Sequence, residues 1–477
     1  MVLQRGTERF GAGDVGRCEV VLPEGAGGGS LMYSRRLKRG YFILEGLNSF
    51  ATIYYFYYLY FFMQKRYGFD NKSNLELAAL SGGLYALCAW PAGRLAQTFG
   101  YFNALKLGFA IMMISLAVGL HAHSASAHVA VMCFTVFGMS FIWPTLEAII
   151  SEGETRAGLQ EMVGVYNVVW AGTAALANFT GGAMLEKLGS NSLFYVPIAI
   201  QFTQFCLTIW LSNRAGVSES ARGAERRTPF RRDCAPVSQH AEMEFGAPSS
   251  PLAPPPLARA FQRMAWVANP SAYIALNTMV AAMPGVAKTL GLSTTLAGFC
   301  CSVWCFARLG AFFGLWHWDG WHYRFRWLLI AYVSMAGAFA SILLVHNLAV
   351  VVVAQLVFGS AAGLIYYSSL FYSMDESETK GEHGGIHEAV IGLGNCAGPA
   401  VGAAALQFSP DVASSGALAV TGLLLLGLGA LGVIWRKATS GVAGNVSNWG
   451  QRAPPDVRDQ RLCVPTPDKP ATPQHYR

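Results

Sequence analysis

Twelve apolar runs follow one another from about residue 40 to residue 435. Many approach the roughly 20 residues that a helix needs to cross a bilayer. They are expected near 40–62, 77–96, 102–120, 128–150, 160–184, 192–212, 264–286, 293–315, 327–345, 348–372, 386–407 and 414–435. A water-soluble chain has no core able to hide so many. The composition agrees, with 53% hydrophobic residues, 13% charged residues and a mean hydropathy of +0.36; a soluble domain carries roughly a quarter of its residues charged. In lipid, backbone polar groups must be satisfied internally, so runs of this kind read as helices. The expected fold class is an all-α membrane protein with twelve transmembrane helices, numbered here as spans 1 to 12.

The charges fall between the runs. Arg35, Arg36, Lys38 and Arg39 precede span 1, eight arginines from Arg214 to Arg263 lie between spans 6 and 7, and Arg436 and Lys437 follow span 12. With twelve spans all three places share one side, and the positive-inside bias makes it the cytoplasm. Lys65, Arg66 and Lys72 in the first outside loop are the opposing signal. Both termini are expected to be cytoplasmic and the chain to be a multi-pass protein of the inner or plasma membrane. The net charge of +7 is thus a topology signal, and no nucleic-acid partner is expected. Residues 1–34 lack the apolar core of a signal peptide and are expected to be a disordered tail. The Pro-, Ser- and Arg-rich stretch 213–260 reads as a flexible linker between bundles 35–212 and 261–437, and 438–477 as a polar, disordered tail.

The ten cysteines form no framework, and seven of them sit inside apolar runs as small apolar residues. No Cys/His spacing resembles a zinc site, no phosphate-binding loop is present, and no nucleophile–base pattern stands out. Neither a metal nor a cofactor is expected, and the chain is not expected to be an enzyme.

The two halves repeat at an offset of 221 positions. Phe137-Gly138 matches Phe358-Gly359, Gly164 matches Gly385, Gly181 matches Gly402, and Gly93 matches Gly314. Span 11 also carries the string Gly385-x8-Gly394-x3-Gly398-Pro399-x2-Gly402. Gly394, Gly398 and Gly402 strip one helix face of side chains for close packing. Pro399 removes a backbone donor and can bend the helix.

Six plus six spans, a central loop and parallel halves resemble the major facilitator superfamily over residues 35–437. The span 11 string resembles that family's antiporter motif G-x8-G-x3-G-P-x2-G-G, with Ala403 in the last position. Span 5 keeps only Gly164, Gly181 and Gly182 of the same pattern. The turn Gly93-Arg94-Leu95-Ala96-Gln97-Thr98-Phe99-Gly100-Tyr101 resembles the family's gating motif between spans 2 and 3. Gln97 stands there for the acid, and Thr98 and Tyr101 for basic residues. The resemblance implies two pseudo-symmetric six-helix bundles, with spans 1, 4, 7 and 10 around a central cavity.

Ionisable groups at membrane depth are functional candidates by default. Glu45 with Asn48 on the same face of span 1, and Glu147 late in span 4, are candidates for a coupling proton or a cationic solute, and Glu45 leads. A structural ion pair or a headgroup-level acid is the alternative. Asn277, Gln355 and Tyr366 are candidate solute contacts on spans 7 and 10, with Asn269, Tyr273 and Tyr367 beside them. The many Tyr and Phe of span 1 mark either an interface or a cavity wall. Arg94 and Gln97 are gating candidates. Arg308 in span 8 is read as a structural or gating ion pair, with capture of an anionic solute as the alternative. His387 and Glu388 open span 11, where Glu388 suits the helix N-terminus and His387 can titrate near neutrality.

The expected function is secondary active transport of a small organic solute by alternating access, coupled to protons, with efflux favoured by the span 11 string. Uptake of a sugar, nucleoside or organic acid on the same fold is an alternative. A transporter-like sensor or scaffold is another.

Overall fold

The computed structural model describes residues 35–151, 156–225, 255–318, 320–376 and 380–440. The expected tails, apart from residues 438–440, and positions 226–254 of the expected linker lie outside these described residues. The first half comprises α1 (Arg35–Tyr67), α2 (Asn71–Phe99), α3 (Tyr101–Leu120), α4 (Ala125–Ser151), α5 (Arg156–Lys187) and α6 (Ser192–Glu225). The second comprises α7 (Pro255–Thr289), α8 (Thr294–Cys301), α9 (Val303–His317), α10 (Phe325–Leu344), α11 (Leu348–Glu376), α12 (Lys380–Phe408) and α13 (Ser415–Ser440). α8 and α9 meet at Ser302, whose φ of −78° and ψ of −16° stay helical, and together they form span 8. Helix also enters the expected linker from both ends, since α6 runs on to Glu225 and α7 starts at Pro255.

Ten spans among the described residues are long and apolar enough to cross a membrane. α1 and α7 complete the twelve. With 33 and 35 residues each is about 50 Å long at 1.5 Å per residue, but both are more polar than the rest. Burial explains the difference. Between Gly40 and Gln64 only Ile43 of α1 is exposed, and α7 exposes nothing from Val267 to Ala287. A helix that other helices shield from lipid can carry Tyr, Asn and Ser, whereas α13 at the rim has only 17% of its apolar window buried and is almost wholly aliphatic.

The halves meet along two helix pairs. α12 lies against α2: a side chain at Gly93 would stand 3.2 Å from Gly385 Cα, one at Gly392 2.6 Å from Ala86 N, and one at Gly402 3.3 Å from Leu75. α5 lies against α8 and α9, from Gly164 beside Trp316 to Gly182 beside Thr294, and Glu186 accepts hydrogen bonds from the Thr295 amide and hydroxyl at 2.9 and 2.8 Å. The repeated glycines make equivalent contacts only in part. Gly164 faces Trp316 of span 8 as Gly385 faces Trp90 of span 2, but Gly181 packs under Tyr54 and Tyr58 of α1 while Gly402 faces Leu75 and Val420. Gly394 and Gly398 bring the α12 backbone onto α7 at Pro270 and Ile274. Pro399 lies inside α12 beside Gly398.

Asp70 caps α2, accepting from the Ser73 amide at 2.8 Å and the Ser73 hydroxyl at 2.7 Å. These donors hold its carboxyl below the usual range. The cap's contribution is therefore full above the ordinary Asp value of about 4 and is lost as pH falls through the lowered one. Asp70→Ala is expected to lower unfolding free energy by about 0.5 kcal/mol, the low end for an exposed cap. Thermal melts of the two proteins at neutral pH should differ slightly and converge in acid.

Candidate functional site

A cavity of about 140 Å³ lies between the halves. Its wall draws on both: Tyr57 and Tyr60 of α1, Tyr85 of α2, Trp143 and Glu147 of α4, and Tyr166 and Trp170 of α5 face Tyr273 and Asn277 of α7, Arg308 of α9, Tyr366 of α11 and Glu388 of α12. The six tyrosines of α1 between Tyr41 and Tyr60 divide by depth of contact. Tyr57 and Tyr60 reach the cavity, whereas Tyr54 bonds the Ser192 hydroxyl at 2.7 Å and Tyr58 donates to the Asn178 carbonyl, fastening α1 to the start of α6 and to α5.

Three titratable groups converge at one end. Oxygens of Glu147 and Glu388 and a ring nitrogen of His387 lie within 4.8 Å of one another. The Tyr85 hydroxyl donates to Glu388 Oε2 at 2.6 Å. Two carboxylates held this close repel each other, and a proton on either one removes the repulsion. The pair spans the two halves, since Glu147 belongs to α4 and Glu388 to α12. One nitrogen and two carboxylates are also donors that a divalent cation could use. α12 begins at Lys380, so His387 and Glu388 stand about two turns inside the helix and do not open it. Glu388 is 6% exposed and cannot cap a helix end from there.

Glu45 is fully buried beside the cavity and not in its wall. Neither of its oxygens, nor either polar atom of Asn48, finds a hydrogen-bond partner among the described residues. Asn167 of α5 is buried in the same condition. Gln355 is likewise fully buried, without a side-chain hydrogen-bond partner among the described residues and outside the cavity wall. Asn277 reaches the cavity and donates to the Asn395 carbonyl at 2.8 Å, linking α7 to α12. Arg94 lies over the Trp90 ring at 5.3 Å in the last turns of α2, where Gln97 is also exposed, so the expected gating turn is helical up to Phe99. Gly93 in the same stretch of α2 makes the contact with Gly385.

Among the described residues Arg308 meets rings and no acid. Its guanidinium carbon lies 4.2 Å from the Trp170 ring centre and 4.7 Å from that of Trp304. Each such contact is worth up to about 2 kcal/mol when desolvated, less than the several kcal/mol that burying an ion costs. The rings continue on both sides: Trp304 stacks with Tyr57 at 6.3 Å, Trp170 stacks with Tyr366 at 5.4 Å, and Tyr366 stands edge-on to His387 at 6.1 Å. A column of aromatic groups thus joins Arg308 to the acid end of the cavity. Tyr85, Trp143, Trp170 and Trp304 were not expected as site residues. Uncharged aromatic residues in apolar runs look like core, and α2 and α5 are not among the four helices expected to line the cavity. The tryptophan density itself was the available signal.

Two helical halves closing on a mostly apolar cavity that also holds charged groups, inside a membrane bundle, form the architecture of a solute transporter. Residues 41–399 match the sequence profile of the Major Facilitator Superfamily, and the chain belongs to that family of membrane transporters. Among solved structures it is similar to the human organic anion transporter MFSD10 (TETRAN), with 15% identity, a TM-score of 0.58, and coverage of 83% of this chain and 99% of that one. It is also similar to a mutant of the nucleoside transporter NupG, with 12% identity, a TM-score of 0.56, and coverage of 85% and 99%. Identities this low show a shared fold. Comparison with curated proteins gave no match.

Proposed function

We propose that this chain is a proton-coupled secondary transporter that moves a small organic solute by alternating access. The observation that carries the reading is the close approach of Glu147 and Glu388, within 4.8 Å of each other in the cavity wall and on opposite halves. With a proton between them the carboxyls hold α4 to α12. Without it, two like charges within 4.8 Å repel, by about 3 kcal/mol at an effective dielectric of 20, enough to shift a two-state balance roughly 100-fold. Proton loss therefore favours separation of the halves at this end, which the basic flanks assign to the cytoplasm. The neighbours carry an organic anion and a nucleoside, so small organic solutes are within reach of the fold. Efflux is the direction favoured by the antiporter-like string on α12.

Proteoliposomes enclosing a pH-sensitive dye test the reading. Addition of transported members of a broad solute panel should move protons, and an imposed pH gradient should accelerate solute flux. Solute flux indifferent to pH would remove the coupling; no flux for any solute would favour a sensor or scaffold. A metal chelator is expected to leave transport unchanged. Loss of transport on chelation would make Glu147, His387 and Glu388 a cation site instead.

A further inference from the structure

We propose that Arg308 is the anion-binding group of the central cavity and that the solute is a small monocarboxylate whose planar, apolar body is about one ring in size. Arg308 is 3% exposed, yet it borders the cavity. Among the described residues Arg308 forms no ion pair. Arg308 Nε has no hydrogen-bond partner among the described residues. Trp170 and Trp304 satisfy part of its charge through their π faces, but a ring face cannot occupy the five in-plane N–H donors of a guanidinium. That donor fork is the geometry that binds a carboxylate through two parallel hydrogen bonds.

The rest of the wall describes the body of the solute. Trp143, Trp170, Tyr57, Tyr273 and Tyr366 offer aromatic surfaces around the same space. Its volume of about 140 Å³ is close to the roughly 150 Å³ of an apolar protein cavity that holds one benzene. Glu147 and Glu388 also line the cavity, and Tyr85 donates to Glu388 there, so one wall holds both an acidic group and the Arg308 cation.

The proposal rests on the reading of this cavity as the solute site and is independent of proton coupling. Full-length protein in detergent, with no gradient, is titrated with benzoate, benzamide and benzylamine while tryptophan fluorescence and binding heat are followed. Benzoate is expected to bind roughly tenfold or more tighter than its neutral isostere benzamide, with benzylamine weakest. Arg308→Gln should erase the preference for benzoate, and Arg308→Lys, which keeps charge but not the planar fork, should restore part of it. Equal binding of benzamide, tighter binding of benzylamine, or no binding of benzoate overturns the proposal in the wild-type protein alone, whether or not the variants fold. So does an Arg308→Gln protein that keeps the benzoate preference. If benzoate binds as expected while solute flux ignores pH, the coupling reading falls and this one stands.

Discussion

Replacing Glu388 with glutamine is expected to reduce pH-gradient-driven solute accumulation roughly 100-fold while leaving solute counterflow near the wild-type rate. Glutamine matches the carboxyl in shape, accepts the Tyr85 hydrogen bond and can donate to Glu147, so the local packing of α2, α4 and α12 is retained. What it removes is the second charge, and with it the like-charge repulsion that links proton loss to separation of the halves. Counterflow, which needs only a working cavity and two accessible states, separates lost coupling from lost folding. Under the proposed coupling Glu147→Gln should behave alike, because either substitution removes one of the two charges that lie within 4.8 Å. Glu45→Gln provides the contrast: Glu45 is buried outside the cavity wall. Should Glu45→Gln abolish accumulation while Glu388→Gln spares it, the coupling acid is Glu45.

Gly83→Cys is expected to halt transport under mild oxidation and to release it on reduction. A β-carbon at Gly83 would stand 3.3 Å from Cys396 Sγ and 4.0 Å from Cys396 Cβ. Disulfides join β-carbons about 3.5–4.5 Å apart. The native Cys396 of α12 is therefore placed to bond a cysteine at 83 and to tie the first half to the second. If α2 and α12 part during the cycle, solute flux should fall more than about 50-fold and recover fully with dithiothreitol, since the bond fixes one of two required states. Wild-type protein given the same oxidant controls for its other thiols. Mass spectrometry verifies the cross-link. A cross-linked protein that transports at the wild-type rate would show that the two helices stay together, and would move the hinge elsewhere.

The fold was more legible than the site, for physical reasons. Lipid imposes one rule on every span, so length and apolarity declare most of the helices, and the duplicated glycines declare the halves. Even so, α1 and α7 carry too much Tyr, Asn and Pro to read as lipid-facing, because their neighbours shield them. Charged groups in the site were visible for the same reason that charges anywhere at membrane depth are visible. Glu147 and Arg308 reach the cavity, as does Glu388, though the sequence pattern places Glu388 at the mouth of a helix that in fact starts at Lys380. The partners were not legible. Nothing local to Trp170 distinguishes it from a core tryptophan, and only the packing of α5 against α9 brings it over Arg308. The same holds for Glu147 and Glu388, which lie 241 residues apart and pair because α12 packs between α2, α4 and α7.

The aromatic column has a mechanical consequence. Its members alternate between the halves: Tyr57 from the first, Trp304 and Arg308 from the second, Trp170 from the first, and Tyr366 and His387 from the second. The two bundles are interlocked like the teeth of a closed zipper, and neither can tilt away without unstacking rings at several levels at once. At about 0.5–1.5 kcal/mol for each ring pair, an empty carrier meets a barrier to rocking that a seated solute lowers by offering the rings a new partner. In the proposed proton-coupled cycle, the column would act as a brake on idle turnover and limit proton leak through an unloaded carrier.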